Sequence, residues 1–328
     1  MSLAAPPPPA GPPPAAWETA TEWPDHLLGI GDLTCVALTE LVELAARMKA
    51  APAGWIEALR GESLICLFER PSPTALASAE AAAHRLGMLP IALGPDDLGE
   101  DAEAFGGTVR ILSSYAAAVF ARTFAERRLK EIARAAEAPV INAVSDDEHP
   151  CQALADLLAL RERFGRLEGL TLAYVGPAAG GVAHSLMQAG ALAAMRVRVA
   201  SPPGLGPARE VEVAAQALAD LHGGVVTVTE DPEEAVAGAD AVYAGLWEPA
   251  GRDARDLGRY RVDTRLMGRA KPSAVFLHCR PARRGGEVST AVIESGRSIV
   301  WQQAANGLPA EQAAIYALVS AGRAAQRP

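Results

Sequence analysis

The sequence predicts an α/β protein made of two doubly wound domains, each with a parallel sheet covered by helices on both faces. Short apolar runs alternate with helical segments along nearly the whole chain, which is typical of this class. The runs are apolar throughout, as in strands that are buried on both faces. With 328 residues, half of them hydrophobic, the chain is long enough to bury two cores.

The apolar runs and the turn residues between them locate the elements. We predict strands at 63–68, 89–92, 118–121, 139–142, 170–175, 195–200, 224–229, 240–243, 274–277 and 298–300. Thr34 is a suitable N-cap for the first long helix, and Pro150 suits the first position of another that runs to Gly165. Further helices are predicted at 75–86, 107–114, 181–193, 209–221 and 309–323, with one more ending near 137.

Composition excludes several classes of function. The net charge of −9 opposes nucleic acid or an anionic membrane as the main partner. The chain contains no apolar run long enough for a membrane helix. Residues 1–16, "MSLAAPPPPAGPPPAA", lack the basic and apolar regions of a secretion signal. They predict a disordered or polyproline-like tail, with a proline-rich ligand for another domain as the alternative.

The cysteines indicate a reducing compartment. They are Cys35, Cys66, Cys151 and Cys279, scattered and without a CxxC pair, so we expect a cytoplasmic protein without a zinc site. The glycine-rich segment "YVGPAAGGVAHSL" lacks the G-x-G-x-x-G spacing of a dinucleotide site, and no P-loop is present. The segment is therefore a weak candidate for a dinucleotide site.

The turn after the first predicted strand leads into a helix N-terminus. Ligands of doubly wound proteins bind at the carboxyl ends of strands, and free N–H groups at a helix start suit a phosphate. Ser72 and Thr74 add hydroxyl groups. Pro73 lacks a backbone donor, however, and no cation stands between Ser72 and Leu76. The turn is therefore either a phosphate site or the remains of one.

Three other loops carry polar side chains at strand ends. Arg122 directly follows a strand, with a surface ion pair as the alternative to a functional role. The segment "DDEHPCQ" places His149 before a helix and Gln152 in its first turn. A neutral imidazole and a carboxamide suit a polar uncharged group such as a carbonyl, and a capping cluster is the alternative. Cys279 and Arg280 end another strand in an Arg-rich loop, with a solvated turn as the alternative.

These loops together resemble the aspartate/ornithine carbamoyltransferase family, and most of all its ornithine carbamoyltransferases. The segments "VFARTF", "APVINAVSD", "HPCQALADLL", "ADAVYAGLW" and "LHCRPARRGGEV" occur in the family's order and at about its spacing. The similarity covers roughly 25–323. Several separated motifs in one order are far more specific than any single motif.

The resemblance implies one domain that binds carbamoyl phosphate, or a related carbonyl compound, and one that binds an amino-acid-like acceptor. Because the family's last helix returns to the first domain, we expect that domain at 17–150 plus 309–328 and the second at 151–308. The family also implies a homotrimer without metal or organic cofactor. In its reaction the acceptor amine attacks the carbamoyl carbon and phosphate leaves.

The resemblance also assigns roles to the loop residues. Arg122, His149 and Gln152 match the groups that hold the carbamoyl carbonyl oxygen and stabilise the oxyanion that develops on it. Cys279 matches a cysteine near the reacting amine, and Arg280 stands where the family has a leucine.

The sequence departs from the family at both substrate sites. The phosphate turn Ser-Thr-Arg-Thr-Arg is Ser-Pro-Thr-Ala-Leu at 72–76, which replaces two arginines that would each contribute about 1.5–3 kcal/mol to anion binding. Gly181 stands for an asparagine that contacts ornithine, and Gly245 stands for an aspartate. A Ser-Met pair corresponds to 249–250, and a late arginine corresponds to Gly307.

We therefore expect a divergent carbamoyltransferase with little activity on ornithine. Replacement cations for the phosphate would come from Arg70, Arg280, Arg283 or Arg284, either in the same chain or across a subunit boundary. The alternative is a non-catalytic homologue that binds a small carbonyl ligand or a partner protein.

Overall fold

The computed structural model describes residues 22–98, 102–247, 257–279 and 282–325. The predicted tail at 1–16, the pair at 249–250 and Arg280 lie outside the described residues.

Two parallel sheets form the centre of the molecule, which confirms the predicted fold class. The strands are β1 (Ser63–Phe68), β2 (Leu89–Leu93), β3 (Ala118–Arg122), β4 (Val140–Val144), β5 (Thr171–Val175), β6 (Arg196–Ala200), β7 (Val225–Thr229), β8 (Ala241–Ala244) and β9 (Val275–His278). The first sheet has the order β2-β1-β3-β4 and the second the order β7-β6-β5-β8-β9. In each sheet the strand order reverses direction beside the first strand, which opens a ligand crevice at the carboxyl edge.

Helices connect the strands and cover both sheets. They are α1 (Cys35–Ala50), α2 (Pro73–Arg85), α3 (Ala102–Ser114), α4 (Glu126–Ala135), α5 (Pro150–Phe164), α6 (Gly181–Leu192), α7 (Arg209–His222), α8 (Pro232–Val236), α9 (Thr264–Met267), α10 (Thr290–Ile293), α11 (Val300–Ala305) and α12 (Gly307–Ala325). Thr34 caps α1 as predicted, because its Oγ1 accepts a hydrogen bond from Ala37 N at 3.1 Å. Pro150 occupies the first turn of α5, and Gly165 ends that helix with φ at +75°.

The two halves share a continuous core. Helix α12 packs against α1, α2 and α5, and α5 also packs against α6 and α11. Buried side chains such as Leu157 of α5, Leu186 of α6 and Ile315 of α12 belong to one hydrophobic cluster. The helix that starts at Pro150 therefore ties the first sheet to the second. No described helix is long and apolar enough to cross a membrane.

The predicted strand at 298–300 is wrong. Ser298 forms only an isolated bridge with Phe276, and α11 already begins at Val300. The apolar pair Ile299-Val300 packs without extending the sheet, since the Ile299 N–H donates to Phe276 O at 3.0 Å and the chain then turns into a helix. A short apolar run cannot by itself distinguish a strand from a buried helix start.

Candidate active site

The carboxyl edges of the two sheets meet at the loop between β4 and α5. Gly181 N, at the start of α6, donates to Asp146 O at 3.0 Å. His149 N donates to Ser185 Oγ at 2.8 Å. These bonds join the first half of the chain to the second at the edge where ligands of such sheets bind.

Arg122 and His149 form a polar pair at this edge. Arg122 ends β3, and its Nε is buried without a hydrogen-bond partner among the described residues. His149 immediately precedes α5, and its Nδ1 is also buried and unpaired there. Burial, and then the positive charge of Arg122, lower the pKa of His149 to about 3, so its imidazole is neutral at physiological pH. The pair offers polar nitrogen atoms to a ligand at little desolvation cost.

Gln152 lies in the first turn of α5, but one end of its amide is already engaged. Its Nε2 donates to Asp156 Oδ1 at 2.7 Å, one helical turn further on. Two groups therefore stay available to a ligand, the acceptor Oε1 and the second N–H of Nε2. Oε1 suits an N–H donor of a ligand, and the second N–H suits a carbonyl oxygen.

Cys279 follows β9 and lies beside a buried polar cluster. Burial, and then the nearby carboxyl of Asp156, raise the pKa of its thiol to about 12, while a hydrogen bond with Tyr243 opposes this shift. Cys279 is therefore a neutral thiol at physiological pH, and a neutral thiol is a poor nucleophile. Its contribution is contact with the ligand or packing.

The turn after β1 has the shape of an anion site. Helix α2 begins at Pro73, and its first intrahelical bond runs from Leu76 N to Ser72 O at 2.9 Å. The N–H groups of Thr74 and Ala75 precede that bond and are free for a ligand. Ser72 makes no side-chain cap to the helix, so its hydroxyl is also available.

One of the predicted replacement cations lies near this turn. Burial, and then the positive charge of nearby Arg70, lower the pKa of Arg122, so the two guanidinium groups lie in the same region. The Arg70 guanidinium carbon is 5.4 Å from the ring centroid of Phe124. Two like charges held together attract an anion between them. Arg70 is therefore the described residue that best suits a phosphate.

The two other described arginines of the prediction are engaged elsewhere. Arg283 donates from NH1 to Trp247 O at 3.1 Å. Arg284 pairs with Glu294 at 2.6 Å. Both belong to the loop after β9 and give no contact with the α2 turn among the described residues of one chain, and their role as cations for the phosphate stays a prediction.

Neighbouring groups occupy the space at the two acceptor-side glycines. A Cβ atom at Gly245 would meet the Tyr174 side chain, with its Cζ at 2.8 Å and its hydroxyl oxygen closer still. A Cβ atom at Gly181 would lie 2.9 Å from the backbone of Glu148. Real Cβ atoms do not approach other atoms so closely, and both positions therefore require glycine in this arrangement.

Comparison with known proteins identifies the family. Residues 25–162 match the carbamoyl-P binding domain of aspartate/ornithine carbamoyltransferase, and residues 168–318 match its Asp/Orn binding domain. The chain belongs to the aspartate/ornithine carbamoyltransferase family. An ornithine carbamoyltransferase from Parafrankia sp. is 43% identical over 305 residues, which cover 90% of this chain and 96% of the relative. One from Rhodococcus opacus is 41% identical over 313 residues, covering 92% and 98%.

Solved structures of the family share the fold. The ornithine carbamoyltransferase of Pyrococcus furiosus is 36% identical with a TM-score of 0.84, covering 88% of this chain and 95% of its own. That of Gloeobacter violaceus is 37% identical with a TM-score of 0.84, covering 91% and 100%. The recognition of a carbamoyltransferase from the sequence is thus confirmed, while the roles of single site residues stay predictions.

Several polar groups of this carbamoyltransferase site were not predicted. Asp156 is fully buried and joins Gln152 to Gln303 and Tyr243. Its signal in the sequence is an acidic residue within the apolar run "ALADLLAL", one turn after Gln152. Gln303 and Tyr243 give no local signal, because they come from distant segments.

Glu148 is a second unpredicted carboxyl. It accepts a hydrogen bond from Gln188 Nε2 at 2.5 Å and a short one from the Ser185 hydroxyl. Burial raises its pKa to about 7. Through these two hydrogen bonds Glu148, the residue before His149, holds the β4–α5 loop against α6. Within the described ranges, no group of three or more His, Cys, Asp or Glu side chains could hold a metal ion.

Proposed function

We propose that the protein transfers the carbamoyl group of carbamoyl phosphate to the amine of an amino-acid-like acceptor, and that ornithine is a poor acceptor. The observation that carries this proposal is the pair Arg122 and His149, whose Nε and Nδ1 are buried and unpaired. Arg122 lies in register with Phe68, the last residue of the strand that leads into α2. A carbonyl group and a phosphate on one small molecule match these two neighbouring sites.

The proposed reaction needs little proton chemistry from the side chains around the carbonyl. The acceptor nitrogen, as the neutral amine, attacks the carbamoyl carbon and the carbonyl oxygen gains negative charge. The bond to the phosphate oxygen then breaks, and the leaving phosphate takes up the proton that the nitrogen loses. Arg122 is permanently cationic and His149 stays neutral, so both can hold the oxygen as its charge develops. Gln152 Oε1 is suited to accept a hydrogen bond from the carbamoyl NH2 group.

Anion binding in this proposal rests on dipoles and one nearby arginine. The α2 start supplies free N–H groups and about half a positive charge. Arg70 adds a full charge, but its side chain is exposed to solvent and screened. We therefore expect carbamoyl phosphate to bind more weakly than at a turn that carries two arginines of its own.

The proposal of an altered acceptor rests on the glycine positions. Tyr174 fills the space beside Gly245, and the Glu148 backbone fills the space beside Gly181. An aspartate or asparagine at these positions has no room, so the polar contacts assigned to them by the family resemblance have no substitute at the same place. An acceptor that relies on those contacts is expected to bind poorly.

An assay of carbamoyl transfer tests the proposal. Purified protein is incubated with carbamoyl phosphate and a panel of amino acids and related amines. Phosphate release above the amine-free blank is measured, and the carbamoylated product is identified by mass spectrometry. We expect turnover with at least one amine that exceeds turnover with ornithine. Citrulline formation from ornithine at about 10 per second, a typical enzyme rate, would refute the proposal that ornithine is a poor acceptor.

A non-catalytic homologue that binds a small carbonyl ligand or a partner protein is the second candidate. Ala75 and Leu76 favour it, because they place no cation in the α2 turn. Binding of carbamoyl phosphate without product from any amine supports this candidate over the enzyme.

We also propose a homotrimer located in the cytoplasm. The family resemblance supports the trimer. Sedimentation should give three times the chain mass of 34.1 kDa. A stable monomer at micromolar concentration contradicts the trimer.

A further inference from the structure

A fully buried carboxyl lies at the centre of the site with only neutral partners among the described residues. Asp156 is 0% exposed and lies on α5, in a run of apolar side chains that includes Leu157 and Leu158. No described Lys or Arg pairs with it. A carboxylate in such a place needs hydrogen bonds to stay ionised, and these bonds show what the group does.

Hydrogen bonds run from Asp156 to both halves of the site. Its Oδ1 accepts from Gln152 Nε2 at 2.7 Å and from Gln303 Nε2 at 2.6 Å. Gln303 Oε1 in turn accepts from His278 N at 2.9 Å, at the last residue of β9. The chain of bonds therefore extends from the start of α5 to the residue before Cys279.

The same bonds fix the orientation of the two glutamine amides, because each NH2 group must face the Asp156 carboxylate. Both glutamines present their NH2 group to one carboxylate oxygen, and turning either amide over would bring two oxygen atoms together. Gln303 is held twice, since its oxygen already accepts from His278 N. Gln152 is held only by Asp156 among its described partners. The direction in which Gln152 faces a ligand thus depends on the Asp156 carboxylate.

We propose that Asp156 is a positioning residue, whose carboxylate fixes the amide of Gln152 so that its oxygen faces the carbamoyl NH2 group. This inference rests on the proposed function, because it assigns Gln152 to the carbamoyl group. Asp156 does not touch the substrate. It acts through Gln152 and, by way of Gln303, on the strand end that carries Cys279.

Ionisation of Asp156 follows from its surroundings. The titratable groups that face it are the hydroxyl of Tyr243 and the thiol of Cys279, both neutral near pH 7 because burial raises their pKa. Burial raises the pKa of Asp156 to about 7, and the hydrogen bonds from Gln152, Gln303 and Tyr243 oppose this shift. Its Oδ2 is buried without a described partner and can take up the proton.

Protonation has opposite effects on stability and on activity. The folded pKa lies above the ordinary 3.8, so the native state binds more protons than the unfolded state between about pH 4 and pH 7. The contribution of Asp156 to stability is therefore lost as pH rises through this window. The neutral acid leaves Oδ1 as a weaker, uncharged acceptor for Gln152, so positioning improves on ionisation and activity rises through the upper part of the same window. A purely structural role would not separate the two trends.

The variant Asp156→Asn tests the inference. It keeps the shape and an acceptor oxygen but removes the charge. We expect unchanged or higher thermal stability at pH 8, and kcat/KM for carbamoyl phosphate reduced by about tenfold or more at pH 8 with a smaller loss at pH 6. The matched control is Asp240→Asn, which also removes a nearly buried carboxyl. Asp240 pairs with Lys271 at the opposite edge of the second sheet, so its loss should leave the pH profile unchanged.

A second variant keeps the inference testable if Asp156→Asn does not fold. Gln303→Glu places a second carboxyl against Asp156, which should move the acidic limb of kcat/KM to higher pH by about one unit. An active wild type whose activity and pH profile are unchanged by these substitutions overturns the role of Asp156 alone. A wild type that neither binds nor turns over carbamoyl phosphate overturns the proposed function, and the role of Asp156 with it.

Discussion

The site has a carbonyl side, with Arg122 and His149, and an acceptor side, with Gly181 and Gly245. The two sides differ in whether side chains or neighbouring groups fill the space. At the ends of β3 and β4, Arg122 and His149 bring polar side chains to the crevice and leave their buried nitrogens unpaired. At the start of α6 and just after β8, glycines stand at the acceptor-side positions, and Glu148 and Tyr174 occupy the space beside them. One side thus leaves polar nitrogens available to a ligand, while the space beside the glycines of the other side is filled by neighbouring groups.

This difference suggests how a carbamoyltransferase can change its acceptor. The developing charge on the carbonyl oxygen is the same for every acceptor, so the groups that stabilise it are needed whatever the amine. Acceptor recognition is a separate set of contacts and can be rebuilt without touching that chemistry. The family match covers both halves at about 40% identity and does not by itself separate the two sides.

The largest expected effect is on the carbonyl side. Arg122→Met should lower kcat/KM for carbamoyl phosphate by about 100- to 1000-fold, because it removes a donor aimed at the developing oxyanion. Arg127→Met is the control, since Arg127 is an exposed arginine of α4 whose side chain is 83% exposed and pairs with Glu131. Steady-state phosphate release measures both. Equal activities for the two variants would remove Arg122 from the mechanism.

The next effect concerns the filled acceptor side. Gly245→Ala should lower the free energy of unfolding by about 1–3 kcal/mol, because its Cβ would overlap the Tyr174 ring. Gly206→Ala is the control, since a Cβ there meets nothing within 4 Å. Urea unfolding measures both variants.

A double-mutant cycle sharpens this test. Combining Gly245→Ala with Tyr174→Leu should cost less than the sum of the two single changes, because the ring that causes the overlap is gone. Additive costs would show that Tyr174 does not limit the space at Gly245.

A smaller effect is expected when cations are returned to the α2 turn. Pro73→Thr combined with Thr74→Arg restores a backbone donor and a charge, and should tighten carbamoyl phosphate binding by about tenfold, or 1.4 kcal/mol. Leu76 is left unchanged because it packs against the core. Ala214→Arg, on the exposed face of α7, controls for net charge. If calorimetric titration shows no gain in affinity, the backbone conformation of the turn, and not its missing charge, limits phosphate binding.

The smallest effect is expected at Arg70. Arg70→Gln should weaken carbamoyl phosphate binding about two- to fivefold at low salt, because an exposed charge contributes little and is screened. The difference should shrink at high salt. Arg60→Gln is the matched control, an arginine whose side chain is 78% exposed and pairs with Glu57. If the affinity for carbamoyl phosphate falls a hundredfold or more, Arg70 is the principal phosphate ligand. It would then replace the arginine charge that the family carries within the turn.

Much of the fold and part of the site follow from local sequence. Apolar runs such as Leu64–Phe68 are fully buried strands, and Thr34 and Gly165 mark helix ends as their chemistry requires. Arg122 and His149 were predictable because a residue at a strand end of a parallel sheet reaches the ligand edge. The wrong strand at 298–300 came from an apolar pair whose partner, Phe276, is distant in sequence.

The sequence alone thus determined the two parallel sheets, the family and the strand ends where chemistry takes place, because apolar periodicity, turn residues and local motifs depend on neighbours along the chain. Only the tertiary structure decided that Gln152 Nε2 is bonded to Asp156, that Gly245 and Gly181 have no room for a side chain, and that Arg70 lies near Arg122. These properties depend on Asp156, Tyr174 and Glu148 meeting partners from other segments. Burial and hydrogen-bond direction arise only when distant parts of the chain come into contact.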